Sequence, residues 1–228
     1  MRGLYSGQVV LVIAPHQDDE TVGCGGIVQK YRKHGSSVYV VFGTVVEGEY
    51  RKFDRERGEY DTYTGKTREA EVDRALGILD IRKVPKTIAP SSEHHRLDTL
   101  GISALLGPLE EVVRLYRPTV LLIPSMSSNQ DHTAIRNACT SLIRPHFFSG
   151  LVLEYEICGE TDFTPNFYVG LEESELENKI EAFKAYETQN TSEMHPVSVS
   201  GIVARALYRG KESFKEYAEA FRVVKWVV

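Results

Sequence analysis

The chain lacks any apolar run long enough to cross a membrane. Its densest apolar stretch, Val9 to Ile13, is short, whereas a spanning helix needs about 20 such residues. It is also poor in cysteine. Cys24, Cys139 and Cys158 are odd in number, widely spaced and form no Cys-x-x-Cys pair. That excludes a cysteine-based zinc or redox unit, and three reduced, mostly buried thiols are expected. Basic charge is scarce: 27 Lys and Arg against 32 Asp and Glu give a net charge of −5. With no basic stripe, nucleic acid is not expected as a partner. No signal-peptide pattern opens the chain, since acidic residues follow the first apolar run at once. A cytoplasmic location without membrane insertion is therefore expected. Internal repeats, low-complexity tracts and linkers are absent, so residues 1–228 read as one α/β domain.

What is present is a set of buried strands alternating with helices. Gln8 to Ala14, Ser37 to Gly43 and Thr119 to Pro124 are almost wholly apolar and rich in β-branched residues, the pattern of strands covered on both faces. Helices are expected at Cys24 to His34, at Thr67 to Leu79, from about Asp98 to Tyr116, and after His132. Gly107-Pro108 would kink or restart the third of these. Residues 83–89 read as a further strand. Leu151 to Ile157 reads as a strand near a sheet edge, with Glu154 and Glu156 turned outward. Ser174 and Glu177 read as a capping box, and 197–207 and 214–221 as helices. Residues 46–66 mix charges of both signs with Tyr50, Phe53, Tyr60 and Tyr63. They read as a solvated, partly helical excursion with even odds of facing a substrate. Together these give an α/β fold with a mostly parallel sheet.

Two polar clusters stand where buried strands turn into helices, which is where open α/β sheets bind ligands. The first is His16-Gln17-Asp18-Asp19-Glu20 and the second is Asn129-Gln130-Asp131-His132. Adjacent carboxylates repel one another, and a cation would relieve the repulsion. Two imidazoles, one coordinating carboxylate and an open position describe a hydrolytic zinc site. The same donors suit iron(II). His16 and Asp19, three apart, can face one ion if the helix starts near Pro15. Asp18 would then be free as a general base toward water acidified by the metal. The ordinary alternatives are acidic residues complementing a helix dipole and an N-cap beside a lone histidine. Two such clusters, each after a buried strand, make that joint coincidence the weaker explanation.

The first cluster, extended to Ala14-Pro15-His16-Gln17-Asp18-Asp19-Glu20, resembles the Ala-His-Pro-Asp-Asp-Glu signature of the LmbE/PIG-L-like zinc-dependent N-deacetylases. Asn129 to His132 is similar to that family's His-x-Asp-His motif. Thr67 to Gly77, Lys179 to Gln189 and Tyr217 to Phe221 resemble its supporting segments. The resemblance implies a Rossmann-like three-layer α/β fold with one catalytic Zn2+ held by His16, Asp19 and His132. It implies Asp18 as general base, Asn129 and Asp131 as further catalytic positions, and Arg68 as a substrate contact. The implied reaction removes acetyl from an acetamido sugar or related small molecule. An oligomer is compatible with the sequence.

Two departures stand out. Gln17 replaces a proline and is expected to be tolerated. Asn129 replaces a histidine that in relatives assists at the carbonyl oxygen or leaving amine. Asparagine can donate to an oxyanion but cannot shuttle a proton. His94, His95, His146 and His195 are candidates to help. A metal- or sugar-binding protein without hydrolysis is the alternative function. A nucleotide-binding role has only Gly23, Gly25 and Gly26 in its favour, and these do not read Gly-x-Gly-x-x-Gly. Their other role is close helix–sheet packing.

Overall fold

The computed structural model describes residues 3–54, 57–157, 163–190 and 192–227; Cys158 lies outside them. A seven-stranded sheet is built from β1 (Val9–Ala14), β2 (Ser37–Phe42), β5 (Arg82–Lys83), β6 (Val120–Pro124), β7 (Leu151–Tyr155), β8 (Phe167–Leu171) and β9 (Tyr217–Trp226). Their order is β5-β2-β1-β6-β7-β9-β8. The first five are mutually parallel, and β9 runs antiparallel to both neighbours. The helices are α1 (Asp19–Lys33), α2 (Gly65–Leu79), α3 (Ile102–Tyr116), α4 (Gln130–Leu142), α5 (Glu173–Lys184) and α6 (Val199–Ser213).

Side-chain alternation along β1 splits the core in two. Val10, Val12 and Ala14 pack with α1, α2 and α5 on one face. Leu11 and Ile13 pack with α3 and α4 on the other. This is the expected three-layer arrangement. Helix α6 adds a smaller cluster against Val22, Leu176 and Phe183. The chain leaves β1 for β2 on one side and returns to pair β6 on the other. The carboxyl ends of β1 and β6 therefore flank the switch point where such sheets hold ligands.

Several local expectations are corrected. Residues 214–221 are not helical. Phe214 ends α6 in a left-handed conformation (φ 57°), and the chain then enters β9, where pairing with β7 and β8 overrides the helix propensity of its Ala and Glu. Strand β7 is interior, so Glu154 and Glu156 are buried rather than outward. Arg136 and Arg222 reach Glu154, and Arg205 and Arg209 reach Glu156. The capping box on α5 is Glu172 with Glu175, two residues before the expected one. Helix α3 runs unbroken through Pro108. The carbonyl that Pro108 cannot bond belongs to exposed Ala104, where water can take it. Ile102, expected on the buried face, is 50% exposed. Of the 83–89 stretch only Lys83 lies in strand, at the end of β5, since Pro85 removes a donor, yet Ile88 and Ala89 again bond the end of β2 through Phe42 and Gly43.

Residues 46–66 form an antiparallel hairpin, β3 (Glu49–Asp54) with β4 (Glu59–Thr64), not a partly helical loop. The Gly23, Gly25 and Gly26 trio is explained by packing. A Cβ on Gly23 would lie 2.2 Å from the Tyr155 ring. One on Gly25 would lie 2.9 Å from Lys179, and one on Gly26 2.6 Å from Leu171. Gly26 and Ile27 also donate backbone N–H groups to the Glu219 carboxylate, both at 2.7 Å. Lys179 pairs with the same carboxylate at 2.6 Å.

Candidate metal centre

The first cluster leaves β1 and turns into α1, which begins at Asp19, ahead of the expected Cys24 but after the Pro15 start that a shared helical turn would need. His16 and Asp19 therefore do not meet as one helical turn. Instead the Asp19 carboxylate accepts the His16 backbone N–H at 2.8 Å, folding the segment back on itself. The second cluster follows β6, where Asn129 caps α4 by accepting the Asp131 N–H at 2.9 Å.

Three side-chain atoms converge across the two strand ends. His132 Nε2 lies 3.2 Å from His16 Nδ1 and 3.3 Å from Asp19 Oδ2. His16 Nδ1 is 3.8 Å from the same oxygen. Ligand bonds of 2.0–2.2 Å in a tetrahedral zinc site place neighbouring donors about 3.3–3.6 Å apart. The His16, Asp19 and His132 atoms, with one edge slightly short and one slightly long, come close to one face of such a tetrahedron. The His16 tautomer suits the same purpose. Its Nε2 lies 2.9 Å from Asp131, which places the proton there and leaves the Nδ1 lone pair in the triangle. Asp131 is fully buried and also accepts the backbone N–H groups of His95 and Leu97, each at 2.9 Å. Burial opposes its charge, but the bonds from His16, Leu97 and His95 outweigh that and hold its carboxyl below the usual range. Burial likewise opposes charge on Asp19 and His132; their mutual attraction wins, lowering the first and raising the second.

Asp18 stands beside this triangle with φ 140°, a backbone strain that a side chain rarely tolerates. Its carboxylate makes no hydrogen bond among the described residues. Burial and the adjacent Asp19 charge push its pKa well up. Glu20 is fully buried beneath it. It accepts from Tyr186 at 2.6 Å and from the Asp18 backbone N–H at 3.1 Å, and burial raises its pKa.

Arg68 comes from α2. Its guanidinium donates to Glu71 at 2.8 Å, to Thr188 at 2.7 Å and to the Gln17 carbonyl at 2.6 Å. The peptide linking Gln17 to Asp18 is thereby held from both sides, by Arg68 at its carbonyl and by Glu20 at its N–H. Glu71 is in turn saturated by Thr188. The Gln17 side chain is buried, with Oε1 unpartnered.

The triangle lies in a cavity of about 900 Å³, at the upper end of the usual range for ligand pockets, about 300–1,000 Å³. Asp18, Arg68, Asn129 and His132 line it, together with His94, His95 and His195. Tyr50, Lys52 and Phe53 of the β3–β4 hairpin form one wall. His146 is exposed and takes no part. Burial, with His95 and His16 beside it, lowers the His94 pKa to about 3. Sequence reasoning weighed a substrate-facing place for residues 46–66 without their hairpin form, and it missed the Glu71–Thr188 brace and Thr44, whose hydroxyl lies 2.8 Å from His94 Nδ1. The last was detectable in principle, because it directly follows the carboxyl end of β2.

A profile of the family described as GlcNAc-PI de-N-acetylase, PIG-L, matches residues 11–143, more than half of the chain and both half-sites. The chain belongs to the PIG-L family. A relative 26% identical over 94% of this chain and 82% of its own length is a diacetylchitobiose deacetylase from Thermococcus kodakarensis. Among solved structures, the A40926 pseudoaglycone deacetylase Dbv21 is 18% identical with a TM-score of 0.73, covering 97% of this chain and 99% of its own. GalB, the 4-carboxy-2-hydroxymuconate hydratase of Pseudomonas putida KT2440, is 16% identical with a TM-score of 0.69, covering 97% and 98%. These likenesses establish the fold; because one of them is a hydratase, the reaction must be argued from the site.

Among the described residues, no helix is long and apolar enough to cross a membrane.

Proposed function

We propose that this chain is a metal-dependent N-deacetylase that hydrolyses the acetamido group of a sugar or sugar-like small molecule. The observation that carries the reading is the His16–Asp19–His132 triangle beside an unbonded, raised-pKa Asp18 on the cavity wall. Family membership and the diacetylchitobiose deacetylase relative support the acetamido substrate.

His16, Asp19 and His132 would hold Zn2+, or Fe2+, which suits the same donors. Bound there, the ion supplies Lewis-acid polarisation of the amide carbonyl and a water acidic enough to lose a proton near neutrality. Asp18 takes that proton as the water oxygen adds to the carbonyl carbon. It then delivers the proton to the amide nitrogen as the C–N bond breaks, leaving acetate and a free amine. Asp131 keeps the His16 proton on Nε2. Asn129 spends its side-chain oxygen on the cap of α4, so only its amide N–H groups remain to meet the substrate oxygen. Arg68 secures the Asp18 peptide and is among the residues lining the cavity, where a substrate contact would be made.

Acetate release from a panel of acetamido sugars, with zinc- and iron(II)-loaded protein, tests the reading. Asp18→Asn should keep its metal and release no acetate; full activity in that variant removes the general base. His132→Ala should lose the metal by elemental analysis. Sugar binding with no acetate release from any panel member would favour the binding-protein reading that Asn129 motivates.

A further inference from the structure

Asn129 leaves the family's histidine position without an imidazole. The structure separates the four histidines that could supply one. His146 is outside the cavity. His195 stands exposed at the mouth, with Nδ1 accepting from the Val197 N–H at 3.1 Å. His95 is exposed, in a left-handed conformation (φ 61°), and contributes its backbone N–H to Asp131. His94 differs from all three. It is half-buried in the cavity wall, with its ring edge-on to His16 at 5.2 Å between centroids; the exposed His95 ring lies nearly as close to His16, at 5.4 Å, but makes no ring hydrogen bond among the described residues, whereas the His94 ring does.

The orientation and tautomer of His94 follow from one contact. Its Nδ1 lies 2.8 Å from Thr44 Oγ1, and Thr44 is fully buried. His94 Nδ1 is the only hydrogen-bond partner of that hydroxyl among the described residues. Were the imidazole proton on Nδ1, the Thr44 hydrogen would be buried with no acceptor. The satisfied arrangement has Thr44 donating to Nδ1, with the ring proton on Nε2. Nε2 makes no hydrogen bond among the described residues and is not sealed from solvent as the orphaned atoms of Gln17 and His132 are. The cavity wall thus carries a neutral imidazole N–H donor, braced from behind and with no protein partner.

We propose that His94 is a further catalytic residue, whose Nε2–H donates a hydrogen bond to the carbonyl oxygen of the scissile amide as negative charge develops there. The proposal rests on the deacetylase reading. Asn129 Nδ2 is the second donor, so one family histidine is replaced by two weaker groups from different loops. His94 gives up no proton; the amine still receives its proton from Asp18, and the atoms balance as before. Thr44 is a positioning residue that fixes which ring nitrogen carries the hydrogen.

The test combines kinetics with a measurement that needs no turnover. In folded, metal-loaded His94→Ala, kcat should fall about 10²–10³-fold, the loss expected for a removed oxyanion donor. KM and metal content should be nearly unchanged, and His94→Gln, which retains a donor, should recover part of the loss. Thr44→Val should lower kcat by a smaller factor. In 15N-histidine-labelled wild type, NMR should find the His94 proton on Nε2. A kcat within about threefold of wild type for His94→Ala, an effect on KM alone, or a proton on Nδ1 overturns the His94 role and leaves the deacetylase reading standing. Wild type that releases no acetate from any compound overturns the deacetylase reading and this proposal with it.

Discussion

Replacing Asp131 with asparagine changes one atom in a side chain that is fully buried and accepts from three N–H groups. Oδ2 faces His16 and His95, and Oδ1 faces Leu97. An amide can keep an acceptor on only one of these sides. With its NH2 toward His16 and His95, two donors lose their partner and the His16 proton is driven to Nδ1, the atom in the donor triangle. With its NH2 toward Leu97, one peptide N–H is left unpaired and His16 keeps a neutral acceptor. The second arrangement is cheaper, so Asp131→Asn should adopt it. One buried donor facing another costs about 1–3 kcal/mol. At about 2–4 °C per kcal/mol for a chain of this size, the melting temperature should fall by about 2–12 °C. Loss of the carboxylate behind His16 should weaken metal binding about 10–100-fold, or about 1.4–2.7 kcal/mol. Chelator-competition titration of zinc into folded protein reads the affinity, and thermal melts of metal-free protein read the stability. An affinity within twofold of wild type in folded Asp131→Asn would refute the claim that the charge of this carboxylate strengthens His16 as a metal ligand.

Gly23→Ala would push a methyl into the Tyr155 ring, whose hydroxyl is tied to the Ile13 carbonyl at 2.9 Å; a loss of about 1–3 kcal/mol is expected in denaturant unfolding. Arg68→Lys keeps the charge but cannot reach Glu71, Thr188 and the Gln17 carbonyl together. If bracing Asp18 is its main task, kcat should fall more than tenfold with KM within about threefold; a change in KM alone would identify substrate contact as that task instead. Because the folded-state pKa of Asp18 is raised, its ionisation costs stability as pH climbs from the ordinary carboxylate range through the raised value. Metal-free Asp18→Asn should therefore melt above wild type at pH 8, and the gap should close near about pH 4. A constant gap would point to relief of backbone strain alone.

Both half-sites were legible in the sequence, because buried parallel strands read as apolar runs and their carboxyl ends are where polar clusters have chemical meaning. The reason offered for pairing His16 with Asp19 was nevertheless different. Helical spacing brought them together on paper, whereas a backbone N–H bonded to a carboxylate does so in the fold. Elements whose identity depends on partners distant in sequence were not legible. Tyr217-Ala218-Glu219-Ala220-Phe221 has local helix propensity, and only the neighbouring strands make it β9. Glu154 and Glu156 alternate like solvent-facing residues, and only arginines from α4, α6 and β9 reveal them as buried. The hairpin was hidden by its mixed charges, although Tyr50 opposite Tyr63 and Phe53 opposite Tyr60 carry a cross-strand pattern. Arg68 could be placed on its helix, but its three partners could not.

The bond from Glu219 into the middle of α1 has a consequence for how the protein is made. Its carboxylate meets the Gly26 and Ile27 backbone across 193 and 192 residues of sequence. A ribosome that has released α4 has already made every atom of the donor triangle, yet not the strand that grips the helix starting at Asp19. Until β9 emerges, β7 is an open edge, Glu154 lacks Arg222, and Lys179 lacks its counter-charge. Contacts of such separation form late, because the loop they close is long. The chain through α4 thus supplies the donor triangle, and β9, made later, makes it rigid.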